Sequence, residues 1–163
     1  WSSDVCSSDL EPCVVFHPGK RWQRKRWPLE RWKGLGQFFR KHGWQIAVSA
    51  GPDEQEKSDA RELVGSLGTN AFSTDGKASW AELAGLLYAS TLFVGVDTAA
   101  MHLAAACGRH CIALFGPTMH EHWAPWATPS EVVAPSEEAQ SRLEKLTPEE
   151  KSLQCMKIGR AHV

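Results

Sequence analysis

The 163-residue chain has the length of one domain, and its 42% apolar and 23% charged residues exclude a disordered polypeptide. The net charge of −1 provides no overall attraction to nucleic acids or anionic membranes. The longest nearly apolar run, 83–96, is shorter than the ~18 residues that a membrane span requires. Five cysteines without a CxxC pair indicate reduced thiols. The missing initial Met and the absence of a secretory leader lead us to expect a fragment of a cytoplasmic protein.

Both ends of the chain differ from its middle. Residues 1–10 (WSSDVCSSDL) and 158–163 (IGRAHV) show neither a helical nor a strand period, and both resemble translated sequencing-adapter read-through. We therefore expect these two segments to be non-native, and we expect a single domain over 11–157.

The first half of the chain alternates apolar runs with helical patterns. Residues 13–16 predict a buried strand that is closed by a His-Pro-Gly turn. A helix is expected from Pro28, a residue suited to a first helical position, to a stop at Gly43. A second strand over 44–49 is followed by a charged surface helix over 53–67.

The second half continues the same alternation. A weak third strand is expected at 71–72, followed by a helix over 79–88 in which Ser79 and Glu82 form a capping box. The remaining predicted elements are a strand over 92–94, a small-residue helix over 98–107, strands over 111–115 and 132–133, and a polar helix from Ser136 onward.

The order of these elements predicts the fold class. Strands without polar alternation, each followed by a helix, indicate a parallel sheet that is covered on both faces. The prediction is an α/β, doubly wound, Rossmann-like domain. Ligands of such domains bind at the carboxyl ends of the strands, so the loops after residues 16, 49, 94 and 115 are the candidate site.

The loop after the first strand concentrates positive charge. Its cationic residues are Lys20, Arg21, Arg24, Lys25 and Arg26, and the next acidic residue is Glu30. Such a cluster suits a phosphate-bearing ligand. Two alternatives stay open: single-stranded nucleic acid stacked on Trp22 and Trp27, and a solvated basic face whose tryptophans pack on the helix.

The segment 93–105 predicts a strand, a tight turn and a helix of small residues. Asp97 and Thr98 fall at the helix start, where backbone N–H groups lack intrahelical partners and attract phosphate. Ala99 permits close approach of a ligand to the backbone. The alternative is that Asp97 or Thr98 is only an N-cap. His102 by itself is more often a packed core histidine than a ligand.

Other features carry weaker signals. The segment GPDE at 51–54 follows the second strand, where an acidic residue of a nucleotide-binding layer accepts hydrogen bonds from ribose hydroxyls. An acidic first turn favoured by the helix dipole explains these residues equally well. Trp123 and Trp126 have two interpretations: they line a ligand pocket, or, as is more common for aromatic residues, they pack against other parts of the protein. The sequence contains no zinc-ligand spacing, GxSxG, Walker or GxGxxG motif, which disfavours the corresponding enzyme classes.

Several of these segments together resemble a known family. They are VFHPG at 15–19, KRWP at 25–28 with Trp32, GPDE at 51–54, FVGVDT at 93–98, MHLAA at 101–105 and ALFGPT at 113–118. In this order they resemble the heptosyltransferases, glycosyltransferase family nine, which build the lipopolysaccharide inner core from ADP-heptose. The resemblance covers about 13–157 and implies the C-terminal, donor-binding half of a GT-B enzyme.

The resemblance also implies roles for individual residues. Lys25 matches a lysine that contacts the donor phosphates. Because this loop varies in length within the family, Lys20 is the alternative residue for the same contact. Glu54 matches the acid that holds the nucleoside sugar. Asp97, Thr98 and Ala99 match the phosphate-binding turn, with His102 close behind, although many relatives have Gly at the position of Ala99. The catalytic aspartate belongs to an N-terminal domain outside this chain, so no catalytic residue is expected here.

The implied reaction is inverting transfer of heptose to the lipopolysaccharide core. Lys25 and the helix N-terminus supply positive potential, so no metal or cofactor is required. The implied partners are a nucleotide-sugar and, through the missing domain, the lipopolysaccharide acceptor, without nucleic acid. The implied location is cytoplasmic, with at most peripheral contact at the inner face of the inner membrane. The alternatives are a non-catalytic nucleotide or nucleotide-sugar binding module and a related transferase that uses another nucleotide-sugar.

Overall fold

A six-stranded sheet organises the computed structural model, which describes residues 11–19, 25–116 and 118–136. The strands are β1 (Cys13–His17), β2 (Gln45–Val48), β3 (Ala71–Ser73), β4 (Leu92–Val96), β5 (His110–Leu114) and β6 (Ser130–Val133). The helices are α1 (Leu29–Lys41), α2 (Glu54–Leu67), α3 (Trp80–Ala89), α4 (Ala99–Ala106) and α5 (His120–Trp123), and a 3₁₀ turn covers Gly68–Asn70. The terminal segments predicted to be non-native and the polar helix after Ser136 lie outside the described residues.

All six strands are parallel, in the order β3-β2-β1-β4-β5-β6. The chain runs outward from β1 to β3 and then crosses back to place β4 on the other side of β1. Phe16 of β1 pairs with Val48 of β2 and with Val94 of β4. The order therefore reverses between β1 and β4, and such a switch point opens a crevice at the carboxyl ends of the strands.

Alternate residues of the strands supply two hydrophobic layers. Val14 and Phe16 face a cluster built with α1 and α2, whereas Val15 faces a second cluster built with α3 and α4. Trp32 is fully buried in the first cluster, where its ring lies 5.3 Å from that of Phe16. The doubly wound α/β prediction is confirmed, because helices cover both faces of a parallel sheet.

The observed boundaries differ from the predicted ones by one or two residues. Strand β4 continues to Val96 because Gly95 and Val96 still pair with β5. Pro28 is the N-cap rather than the first residue of α1, and Gly43, with φ of 78°, follows its end as predicted. The predicted capping box of Ser79 and Glu82 is present. Helix α5 has only four residues, too few to produce a detectable period, and it was not predicted.

Within the described residues, no helix is long and apolar enough to cross a membrane. The cysteines of this part of the chain, Cys13, Cys107 and Cys111, are free thiols. Cys6 and Cys155 lie outside it.

Candidate functional site

A cavity of about 420 Å³ lies at the carboxyl ends of β1, β2 and β4. Its walls are the loops that follow these three strands, the loop that follows β3, Glu56 of α2 and the first residues of α3 and α4. The volume falls in the range of ~300–1,000 Å³ that is usual for small-ligand sites. The cavity therefore occupies the switch point at which the topology predicts a ligand.

The loop after β1 and the end of β4 meet through an ion pair. The Lys25 ammonium donates to Asp97 Oδ2 at 2.5 Å and to the Asp97 carbonyl oxygen at 3.2 Å. The two side chains are 15% and 8% exposed, and both residues line the cavity. Because little solvent screens the pair, it holds the ammonium beside the start of α4 more firmly than a surface ion pair would.

The start of α4 faces the same cavity. Thr98 occupies the N-cap position, but its hydroxyl donates to the Val96 carbonyl oxygen at 3.3 Å and does not cap the helix. Thr98, Ala99 and Ala100 line the cavity, and no side chain of the described residues caps the first helical amides. These amides and the positive end of the helix dipole are suited to an anion. Asp97 precedes the N-cap, so capping does not explain its presence.

The cationic residue next to Lys25 points elsewhere. Arg26 Nη2 lies 3.2 Å from each carboxylate oxygen of Asp59, a buried residue of α2. Trp27 packs edge-on against Trp32 at 5.1 Å between ring centroids. Both contacts hold the backbone that directly follows Lys25, and the Lys25 side chain itself lines the cavity. The other cationic residues of this loop, Lys20, Arg21 and Arg24, lie outside the described residues.

Of the acidic residues that follow β2, Glu56 rather than Glu54 lines the cavity. The Glu54 side chain is 81% exposed and accepts a hydrogen bond from Lys57 at 2.7 Å on the helix surface. The Glu56 Oε2 atom accepts from the Gly51 amide at 2.9 Å. The difference follows from the helix register: Asp53 is the N-cap and accepts from the amides of Gln55 and Glu56, which turns the first helical residue to solvent. The structure does not bring Glu54 to the site.

Glycines make room for the Glu56 carboxylate. A Cβ atom added at Gly19 would lie 2.7 Å from Glu56 Oε2, and one added at Gly51 would lie 2.6 Å from the same atom. Gly76, from the loop after β3, has φ of 66°, and an added Cβ would collide with the Gly51 carbonyl oxygen. Three loops thus approach one another closely only because these positions lack side chains.

His17, the last residue of β1, lies on the cavity wall with only 9% of its surface exposed. Its Nδ1 atom is 2.8 Å from Ser49 Oγ, which in turn lies 3.2 Å from the Phe16 carbonyl oxygen. Burial lowers the pKa of His17 from 6.5 to about 4. The imidazole is therefore neutral at pH 7. The sequence motif contained this residue, but its polarity alone did not distinguish it from an ordinary turn residue.

The depressed pKa of His17 predicts acid sensitivity of the fold. Between pH 6.5 and pH 4 the unfolded chain binds a proton at this residue and the folded chain does not, so the stability falls as the pH falls. From pH 7 to pH 5 the loss from this residue should be about 2 kcal/mol. Urea unfolding of the 163-residue chain and of His17→Asn at both pH values measures it. Equal losses in the two proteins would contradict the prediction.

Further tryptophan and histidine residues define the limits of the site. Trp80, the first residue of α3, lines the cavity although 61% of its surface is exposed. His102 is exposed and does not line the cavity; its ring lies 6.5 Å from that of Trp123 in α5. Trp126 is 86% exposed and, like Trp123, is not part of the cavity wall. The predicted donor contact of His102 stays a prediction.

The structure therefore brings Lys25, Asp97, Thr98 and Ala99 together in one cavity, although Lys25 comes from a segment far from the other three in the sequence. It adds three residues that the sequence did not single out as binding residues: His17, Glu56 and Trp80. One signal was available for Glu56, since it falls at the third position of a helix whose N-cap is Asp53.

Comparison with known proteins identifies relatives of this chain. The sequence model of a family described as glycosyltransferase family 9 (heptosyltransferase) matches residues 4–153. Lipopolysaccharide heptosyltransferase 3 of Escherichia coli is 31% identical over 115 residues, which are 70% of this chain and 34% of the relative. The chain thus spans about a third of the length of this curated relative.

Solved structures show the same fold. E. coli heptosyltransferase WaaC with ADP aligns with a TM-score of 0.70 and 26% identity, over 77% of this chain and 38% of that one. The same enzyme with ADP-2-deoxy-2-fluoro heptose aligns with a TM-score of 0.68 and 26% identity, over 78% and 38% of the two chains. The predicted fold class is thus confirmed, since the parallel sheet with helices on both faces matches the structures of GT-B heptosyltransferases. Because the family model also matches nearly the whole chain, this protein belongs to glycosyltransferase family 9, the heptosyltransferase family.

Proposed function

We propose that this chain is the donor-binding part of an inverting glycosyltransferase that transfers heptose from ADP-heptose to the lipopolysaccharide inner core. The observation that carries the proposal is the Lys25–Asp97 ion pair beside the uncapped start of α4, in a cavity at the switch point of the sheet. The relatives support the ligand class, since WaaC was solved with ADP and with an ADP-heptose analogue.

The cavity residues suit the departure of a nucleoside diphosphate. When an acceptor hydroxyl attacks the anomeric carbon, negative charge grows on the leaving diphosphate. The Lys25 ammonium and the first amides of α4 are fixed before the reaction, so they stabilise this charge more in the transition state than in the ground state. We assign no general base to the chain; the base is expected in the acceptor domain, and the cytoplasmic location is part of the same proposal.

Each part of the ADP moiety of the donor has a candidate contact. We assign the diphosphate to Lys25 and to the amides at Thr98 and Ala99, and we assign a ribose hydroxyl to Glu56 in place of Glu54. Asp97 acts through Lys25 and does not contact phosphate, since a carboxylate would repel it. The adenine base is assigned to the exposed face of Trp80.

Titration of the 163-residue chain with ADP, UDP and inorganic pyrophosphate tests this proposal. We expect ADP to bind more tightly than the other two and to shift the NMR amide signals of Lys25, Glu56 and Thr98. Equal affinities for ADP and UDP would contradict a site that selects adenine. Equal affinities for ADP and pyrophosphate would show that the cavity binds only the anionic group. Transfer by a full-length enzyme containing this chain distinguishes a transferase from a binding module.

Replacing Trp80 with alanine tests the base contact. Loss of an aromatic stacking partner should weaken ADP binding roughly threefold to tenfold and leave pyrophosphate binding unchanged. Tyr88→Ala is the control, because Tyr88 lies on the same helix, is 73% exposed and does not line the cavity. A similar loss for pyrophosphate would show that the substitution disturbs the whole site.

A further inference from the structure

The cavity has two chemically different sides. The start of α4 and the Lys25 ammonium offer hydrogen-bond donors and positive potential. Around Gly19, in contrast, two acceptor-bearing groups approach each other: a Cβ atom added there would lie 2.9 Å from His17 Nε2 and 2.7 Å from Glu56 Oε2. A ligand that fits both sides carries an anionic group and, next to it, groups that donate hydrogen bonds.

The protonation of His17 follows from its neighbours. If Nδ1 carries the proton, it donates to Ser49 Oγ, and the serine hydroxyl donates onward to the Phe16 carbonyl oxygen. If Nε2 carries the proton instead, the serine hydroxyl must donate to Nδ1, and its hydrogen bond to Phe16 is lost. The first arrangement makes one more hydrogen bond in a buried place, where each lost bond costs free energy. The Nε2 atom is then a lone-pair acceptor.

We propose that His17 is a specificity-determining residue whose Nε2 atom accepts a hydrogen bond from a sugar hydroxyl of the bound nucleotide-sugar. The inference rests on the proposed function and adds a contact to it. A neutral imidazole acceptor beside a carboxylate repels phosphate oxygens, which leaves the diphosphate to Lys25 and α4. Ser49 is the positioning residue, since it determines which imidazole nitrogen faces the ligand.

Nitrogen NMR of the chain labelled with ¹⁵N-histidine tests the inference, with the His17 signal identified by its loss in His17→Asn. We expect the Nδ1–H tautomer in the free protein and a shift of the Nε2 signal when ligand binds. A shift with ADP assigns the hydroxyl to the ribose, whereas a shift only with ADP-heptose assigns it to the transferred sugar. The Nε2–H tautomer overturns the inference. So does an unmoved Nε2 signal when the Thr98 amide reports binding of both ligands.

Affinity measurements give a second test. Asparagine at position 17 retains an N–H group near Ser49 but has no atom at the position of Nε2. Consider the ligand, ADP or ADP-heptose, that shifts the Nε2 signal. His17→Asn should weaken binding of this ligand roughly threefold to tenfold and leave pyrophosphate binding unchanged. His110→Asn, at an exposed residue that does not line the cavity, is the matched control. Equal losses for nucleotide and pyrophosphate overturn the inference. If no nucleotide binds to the wild-type chain, the proposed function fails, and this inference fails with it.

Discussion

Lys25→Met is expected to weaken ADP binding roughly ten- to hundredfold, because it removes the charged hydrogen bond that we propose between Lys25 and the diphosphate. Isothermal calorimetry at two salt concentrations measures the loss. A specific contact keeps most of its effect in high salt, whereas general attraction is screened. Lys41→Met removes the same charge at the far end of α1 and is the matched control. Equal losses in both variants, vanishing together in high salt, would contradict a specific role for Lys25.

The ion pair complicates this experiment in a way that can be controlled. The Asp97 side chain is only 8% exposed in the wild-type chain, and Lys25→Met removes its cationic partner, so this variant should also destabilise the fold. The double variant Lys25→Met/Asp97→Asn removes both charges and should recover much of the stability. It should not recover ADP binding. Recovery of binding together with stability would mean that Lys25 acts only through the fold.

Asp97→Asn is expected to lower transfer by a full-length enzyme at least tenfold. Asparagine keeps the size of the side chain but not the charge that holds the Lys25 ammonium at 2.5 Å. Displacing a group that stabilises the leaving diphosphate typically costs this much or more. Because the contact matters most in the transition state, kcat should fall more than KM rises. Steady-state kinetics with ADP-heptose and acceptor provides both values.

The control for this substitution is Asp53→Asn. Asp53 caps α2 through the amides of Gln55 and Glu56, and asparagine is an equally good N-cap, so transfer and stability should barely change. A second measurement distinguishes a role of Asp97 in positioning Lys25 from a role in stabilising the fold. If Asp97 positions Lys25, the ¹⁵N signal of the Lys25 ammonium should shift in Asp97→Asn. Wild-type turnover of Asp97→Asn would remove Asp97 from the site.

Much of the fold was predictable because its signals are local. Each strand of the sheet centre is a short apolar run, and each helix has an apolar face and recognisable ends, such as Gly43 and the Ser79 capping box. The observed boundaries differ from the predicted ones where pairing with a neighbouring strand extends a strand, as at Val96. The four-residue helix α5 was too short to detect in the sequence. These differences arise from tertiary contacts that no local window contains.

The site was predicted in part for the same reason. Strand ends and a helix start are local features, so Lys25, Asp97 and Thr98 were placed at the carboxyl edge of the sheet from the sequence. The choice between Glu54 and Glu56 was not predictable in this way. It depends on a helix register set to within one residue by the Asp53 cap, and one residue rotates a helical side chain by about 100°.

By itself, therefore, the sequence determined the alternation of strands and helices, the parallel sheet, and the edge of the sheet at which the cavity lies. Only the tertiary structure decided which side chains contact one another in the cavity. Lys25 and Asp97 are 72 residues apart, and His17 and Ser49 are 32 residues apart. These contacts exist because β1 lies between β2 and β4, a neighbour relation that the packing of the whole sheet creates. Charge and tautomer in the cavity depend on such non-local neighbours, whereas secondary structure depends mainly on residues a few positions away.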